Sequence, residues 1–423
     1  MYIRILNRIL YFFLLVSLLV TMSFCKKNTN PPALYFTSLT AGGVDLTSLY
    51  PPYNVPANAT IIASFNLNIV PASATSSSIF LKRSYDSAFI GLQITVKGDT
   101  IKLVPDNPLG NGSLYTLTFK GIQSTEGTSI DSVIKTFTTT GRFAPPGQVA
   151  YWNFEGNTYD QAGNYNGNQA IDLNYVQSLT QPLGLCAAFN GTSTIIEIPN
   201  GDQLVNTPDF SLSFWVRPNS HYHLDSTGQP KGQFILGDGD YKGFEFDISS
   251  DYSSCKLTAS YSLPGNTTIE EDLSFAGDGK TGTNGGSPGW TYCADLRYSG
   301  GVQNLLKDKW AFITCTYNSA TKVGDLYING TRMKEQDFNQ WPVGDPARNI
   351  TGMKYGGTPP FQENILALGF FHSRNSTDYS TTTWGNYFTP WANHFRGSLD
   401  EVRIFNAPLT AKEIYQMYIT TRP

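Results

Sequence analysis

The chain holds seven tryptophans, which fall into two groups by their surroundings. Trp152, Trp215 and Trp310 sit in apolar, β-branched runs and are core residues by context. Trp290, Trp341, Trp384 and Trp391 stand in long polar stretches, accompanied by Tyr292, Tyr387, Asn386 and Asn393. Exposed rings stack on the apolar faces of sugars while amides exchange hydrogen bonds with hydroxyls, so this set points to non-covalent glycan recognition. The competing role for the same rings is to seal long loops onto the domain. Other chemistries fail on physical grounds. Gly285-Gly286-Ser287-Pro288-Gly289 has the outline of a nucleophile elbow, but Pro288 lacks the N–H that an oxyanion hole needs. Gly277-Asp278-Gly279-Lys280-Thr281-Gly282 has dinucleotide-binding spacing without a surrounding βαβ unit, and reads as a flexible glycine loop. His221 and His223 would share one strand face as metal ligands, yet no cysteine or carboxylate spacing supports them.

Five cysteines remain to be placed. Cys255 and Cys293 flank the glycine-rich stretch, and a Cys255–Cys293 disulfide closing it would stabilise the fold by about 2–4 kcal/mol. Cys186 and Cys315 lie in apolar runs and are expected as buried thiols. Cys25 follows Arg4, Arg8 and the apolar stretch Ile9 to Val20, which is short for a membrane span. The run Thr21-Met22-Ser23-Phe24-Cys25 resembles the lipobox of bacterial lipoproteins, with Phe24 standing where that family prefers a small residue. The resemblance implies a signal peptide over 1–24, acylation of Cys25 and lipid as the membrane anchor at the bacterial outer membrane.

These residues must be carried by an all-β scaffold. Lys and Arg number 29 against 33 Asp and Glu, and only 15% of residues are charged, which excludes a nucleic-acid binder or a coiled coil. A polar tether spans 25–32. Over 33–141, short runs such as Ile61-Ile62-Ala63-Ser64-Phe65 and Tyr115-Thr116-Leu117-Thr118-Phe119 alternate with turn residues, as in a small antiparallel sandwich. A Pro- and Gly-rich linker occupies 142–148, and a larger domain spans 149–420. Its runs, among them Phe210 to Val216 and Trp310 to Thr314, have the period-two texture of sheets packed face to face. One helix is expected, from the capping box Thr410-Ala411-Lys412-Glu413 with Ile414, Met417 and Tyr418 at helical spacing.

The order Tyr50-Pro51-Pro52, Val55-Pro56, Phe65, Val104-Pro105, Tyr115 and Thr136-Phe137-Thr138 resembles the SbsA type of bacterial Ig-like domain, usually a spacer. Six later blocks, from Ala150-Tyr151-Trp152-Asn153-Phe154 to Gly397-Ser398-Leu399-Asp400-Glu401-Val402, resemble the laminin G-like, concanavalin A-like jelly roll. Residues 264–301, 335–361 and 372–396 are insertions relative to that pattern. The resemblance implies a structural Ca²⁺ between first and last strands, for which Glu155, Asn157, Asp160 and Asp400 are the matching oxygen donors. It also implies a test for hydrolysis. Laminarinase-type hydrolases of this fold carry Glu-x-Asp-x-x-Glu, and here Glu245 and Asp247 are followed by Ser250 in place of the third carboxylate. A retaining glycosidase needs two carboxyls about 5–5.5 Å apart as nucleophile and acid, so catalysis is not expected. The expected function is a surface lipoprotein presenting a lectin-like module to a polysaccharide or glycoprotein. An adhesive protein contacting other proteins is the second expectation, and a hydrolase the third.

Overall fold

The computed structural model describes residues 31–48, 50–178 and 184–421. Cys25 and the expected signal peptide and lipidation site lie outside the described residues. The chain divides into two compact units, one ending at Thr140 and the other comprising Gly110–Ser113 and the chain from Gly141 onward. Among the described residues no helix is long and apolar enough to cross a membrane.

In the first unit the strand Ile61–Phe65 shows how alternation sets the faces. Ile61, Ala63 and Phe65 are buried while Ile62 between them is exposed. That strand lies in a five-stranded antiparallel sheet between Phe36–Ala41 and Thr100–Pro105. A four-stranded sheet, centred on Ile79–Arg83 and Leu114–Phe119, completes the sandwich and supplies Tyr115, Leu117, Phe119 and Phe137 to the same core.

The second unit is also a two-sheet sandwich. One sheet runs in the order Asn174–Gln177, Leu185–Asn190, Arg396–Phe405, Phe210–Pro218, Ala311–Asn318, Val323–Ile328, Thr331–Asp337, Trp290–Cys293, with Gln148–Trp152 also paired to Arg396–Phe405. The other runs Gln169–Ile171, Ile195–Pro199, Ile365–Leu368, Gln233–Asp238, Phe244–Ile248, Cys255–Ser262, Thr268–Phe275. Aromatic contacts close the space between them: Phe214 meets Phe246 edge-on at 5.2 Å, and Phe210 lies 5.3 Å from Phe244. The strand Phe210–Pro218 is buried on both faces, because the helix Ala411–Thr421 covers its outer side. Trp215 stacks within 5.8 Å of Tyr418 and donates its indole N–H to Thr421 Oγ1 at 2.9 Å. The expected capping box starts this helix: Thr410 N–H donates to Glu413 Oε2, and Glu413 N–H to Thr410 Oγ1.

Two expectations change on this fold. The insertion 264–301 is not one long loop, because it contributes the eight-residue strand Thr268–Phe275 and the edge strand Trp290–Cys293. The expected Cys255–Cys293 disulfide is absent: Cys186, Cys255, Cys293 and Cys315 are all buried free thiols. The reason is placement. Cys255 belongs to one sheet and is a close neighbour of Cys315 across the core, whereas Cys293 sits on the edge strand of the opposite sheet, with its Sγ 3.7 Å from Asp278 Oδ1.

Candidate functional site

The strand Phe244–Ile248 connects core and surface. Phe244, Phe246 and Ile248 point into the sandwich, so Glu245 and Asp247 project together from the outer face of their sheet. Register then builds rows across that face. Asp247 is flanked by Phe234 and Lys256, and Glu245 by Gly237 and Thr258, with Asp272 one strand further. Above these rows lies the segment 372–396, which folds back over the sheet as a third layer. Its approach requires glycine at 237, since a Cβ there would collide with the Phe371 carbonyl oxygen.

That segment has its own small core of Phe234, Phe370, Phe371, Tyr387 and Ala392 with Ile195 and Ala367. A buried lysine fixes it. Lys231 Nζ donates to the carbonyls of Gly191, Pro390 and Ala392 at 3.1, 2.9 and 2.7 Å, using all three ammonium protons. His394 adds a hydrogen bond between its Nε2 and Tyr387 O at 2.9 Å. With the segment held, Tyr379 and Trp384 come to the rim of an open groove of about 450 Å³. Their rings are 4.8 Å apart, Tyr379 lies 5.5 Å from Phe371, and Tyr241 approaches Tyr379 edge-on at 6.4 Å. Trp384 remains 43% exposed.

The charged side of the groove is unevenly balanced. Lys256 Nζ lies 3.8 Å from Asp247 Oδ2 and 3.5 Å from Asp272 Oδ2, and Lys242 Nζ donates to Glu270 Oε1 at 2.7 Å. Thr258 donates its hydroxyl to Asp272 at 2.6 Å. Glu245, only 8% exposed, has no hydrogen-bond or ion-pair partner among the described residues. Burial pushes its carboxyl up to about 8, the neighbouring Asp247 charge adds to the rise, and Lys256 opposes it. Asp247 is raised to about 6, again chiefly by burial, with Lys256 holding it lower than Glu245. Asp240 is pushed up to about 8 by burial and then by Glu245 and Asp378.

The residues singled out in the sequence are distributed as follows. Trp384 joins Glu245 and Asp247 in the groove. Tyr387 is buried beneath the segment, its hydroxyl donating to Ser193 O at 2.6 Å, and Trp391 is exposed elsewhere on the same segment. Trp290, Tyr292 and Trp341 gather around the edge strands of the other sheet. Lys334 Nζ stands 3.2 Å from the Trp290 ring centre, Arg332 lies over Tyr292, and Trp341 packs against the main core. Phe234, Tyr241, Lys256, Phe371 and Tyr379 were not singled out. Alternation around Lys256 gave a signal for that residue, while Phe234 meets Phe371, and Tyr241 meets Tyr379, only across more than a hundred residues of sequence.

The oxygens expected to hold calcium already accept hydrogen bonds from the protein. Asp160 accepts four backbone N–H groups, from Tyr151 and Ala162 on Oδ1 and from Asn164 and Tyr165 on Oδ2. Glu155 accepts from Arg142 and from Leu185 N–H, Asn157 Oδ1 from Tyr159 N–H, and Asp400 from Ser178 Oγ and Glu401 N–H. An ion would have to displace these donors, whose positive ends already face the oxygens. Among the described residues no three His, Cys, Asp or Glu side chains gather in one place.

Comparison with known proteins agrees with the two units. No curated protein matches the chain. Solved structures similar to it include the receptor-binding domain of botulinum neurotoxin type G, at 15% identity over 64% of this chain and 51% of that one, with a TM-score of 0.37. Domain 4 of AbnA, a GH43 extracellular arabinanase from Geobacillus stearothermophilus, in complex with arabinotriose, is 18% identical over 64% of this chain and 98% of that one, with a TM-score of 0.34. The binding domain of Paraclostridial Mosquitocidal Protein 1 is 16% identical over 64% and 52%, with a TM-score of 0.38. The chain spans about half the length of the first and third of these structures. Residues 30–139 match the bacterial Ig-like domain family and residues 190–373 the concanavalin A-like lectin/glucanases superfamily, so the chain is a bacterial Ig-like domain followed by a concanavalin A-like jelly roll.

Proposed function

We propose that the jelly roll binds a saccharide chain, free or on a glycoprotein, in the groove between Trp384, Tyr379 and the Glu245–Asp247 face, and does not cleave it. The observation that carries this is the pairing of exposed ring faces with polar side chains along one open groove on a rigid sheet. Rings give a sugar an apolar platform, and carboxylate, hydroxyl and ammonium groups give it orientation. Cleavage is disfavoured by the site's content. Glu245 and Asp247 are alternate residues of one strand, Asp247 is tied to Lys256, and Ser250 stands where a third carboxylate would complete the hydrolase pattern. In this proposal the Ig-like domain is a spacer, and acylated Cys25 anchors the protein in the outer membrane.

The test is calorimetric titration of polysaccharides against the wild type and single Trp→Ala variants, with folding checked separately. Trp384→Ala is expected to weaken binding by tenfold or more, corresponding to about 1.4 kcal/mol, and Trp290→Ala to leave it unchanged. Equal affinity in the two variants would remove the groove as the site. Release of shortened sugars would restore Glu245 and Asp247 as catalysts.

A further inference from the structure

We infer that the saccharide this groove selects carries free amino groups, with Glu245 as the residue that meets the ammonium. The inference rests on the saccharide-binding proposal and concerns its chemical class.

Charge balance is the first argument. Glu245, Asp247 and Glu270 line the groove, against Lys256 alone among cations. Lys242 answers Glu270 and Lys256 sits between Asp247 and Asp272, which leaves Glu245 without a counter-charge. Its side chain nonetheless reaches the groove. A uronate or sulfated chain would bring its anions against a face whose carboxyl groups already engage the neighbouring lysines, Asp247 with Lys256 and Glu270 with Lys242, leaving no free cation among the described residues to receive them. An ammonium would supply the missing partner through a charge-assisted hydrogen bond.

The rings supply the second argument. The faces of Trp384, Tyr379 and Tyr241 carry the negative end of their quadrupoles and attract cations as well as sugar C–H groups. The cluster already holds one ammonium in this way, Lys242 Nζ at 4.8 Å from the Tyr241 ring centre. A 2-amino sugar presents an apolar face and a cation on one ring, which matches rings and carboxylate side by side.

The third argument is protonation. The groups facing Glu245 are Asp247 on its own strand, Lys256 and Asp272 on the next two, Asp240 in the turn before its strand, and Tyr379 from the overlying segment; the first three shift its carboxyl, and Glu245 in turn raises Asp240 and Tyr379. Burial first, then Asp247 and Asp272, keep its proton to about pH 8 against the opposing Lys256. A bound cation reverses that bias, so binding expels the proton to solvent.

The experiment titrates three oligosaccharides of equal length against the full chain at about pH 6, where Glu245 is protonated and the sugar amine is charged. The probes are a glucosamine oligomer, its fully N-acetylated form and a galacturonate oligomer, each run in two buffers of different ionisation enthalpy. The amino form is expected to bind at least tenfold tighter than the N-acetylated form, with close to one proton released, and the acidic form not to bind. Glu245→Gln should bind the amino and N-acetylated forms alike and release no proton. Tighter binding of the N-acetylated or acidic form, or proton release unchanged in Glu245→Gln, overturns the inference while leaving saccharide binding intact. Failure of every oligomer, neutral ones included, would instead count against the saccharide proposal itself.

Discussion

Replacing Glu245 by Gln should flatten the dependence of the jelly roll's stability on pH. In the folded protein this carboxyl titrates at about 8, against 4.5 for the free group, chiefly because burial penalises its charged form. Since the folded value is the higher, the folded state binds more protons than the unfolded chain between the two. Stability from this group is therefore full below the unfolded value and is lost progressively as pH rises to about 8. For a group sealed from water the loss amounts to about 5 kcal/mol, and the open mouth of the groove, which screens the charge, brings the expectation to about 2 kcal/mol. Urea unfolding of wild type and Glu245→Gln, followed by tryptophan fluorescence at intervals from about pH 4.5 to 9, measures it. All seven tryptophans lie at or beyond position 152, so the signal reports the second unit alone. Taking the difference between the two proteins removes the contributions of Asp240, Asp247 and Asp400, except the part Glu245 imposes on its neighbours. Stability curves that run parallel across this range would refute the argument, because the proton would then not reside on Glu245.

Three further outcomes are expected. Lys231→Met leaves the Gly191, Pro390 and Ala392 carbonyls without their donor, and should lower stability by about 3 kcal/mol and weaken sugar binding; urea midpoints and titration check both. Unfolding without reductant should expose four alkylatable thiols, at Cys186, Cys255, Cys293 and Cys315, counted by mass; two fewer would indicate a disulfide. Cys25→Ser should move the protein from membrane to soluble fractions, and continued membrane association would exclude lipid as the anchor.

Local rules made some features legible and hid others. The alternation that puts Glu245 and Asp247 on one face and Phe244 and Phe246 on the other is visible in five residues, as is the capping box at Thr410. Both depend on neighbours in sequence. Whether a tryptophan in an insertion binds or packs depends on what lies across from it. Trp384 and Trp341 have similar surroundings in sequence, yet one rims the groove and the other joins the main core. The contact of Phe234 with Phe371 at 4.1 Å, which seats the covering segment, has no local signature. Cysteine spacing misled for the same reason: flanking an insertion says nothing about which sheet each thiol enters. Lys231 was invisible as a fastener, since a lysine in a polar stretch is ordinarily solvated and only the folded segment supplies three carbonyls to it.

The pairing of Gln148–Trp152 with Arg396–Phe405 has a temporal consequence. A polypeptide that emerges from a ribosome or a translocation channel with its N-terminus leading releases the first partner of this pair some 250 residues before the second. The strand Phe210–Pro218 must likewise await both Arg396–Phe405 beside it and the helix carrying Tyr418 and Thr421 above it. The jelly roll therefore cannot close while it is still being threaded, whereas the Ig-like unit, whose strands are complete by Thr138, can form while the remainder is in transit. The small domain thus serves as an early-folding leader, and the long interval before closure is when the unpaired, aromatic-rich strands of the larger one depend most on being kept apart.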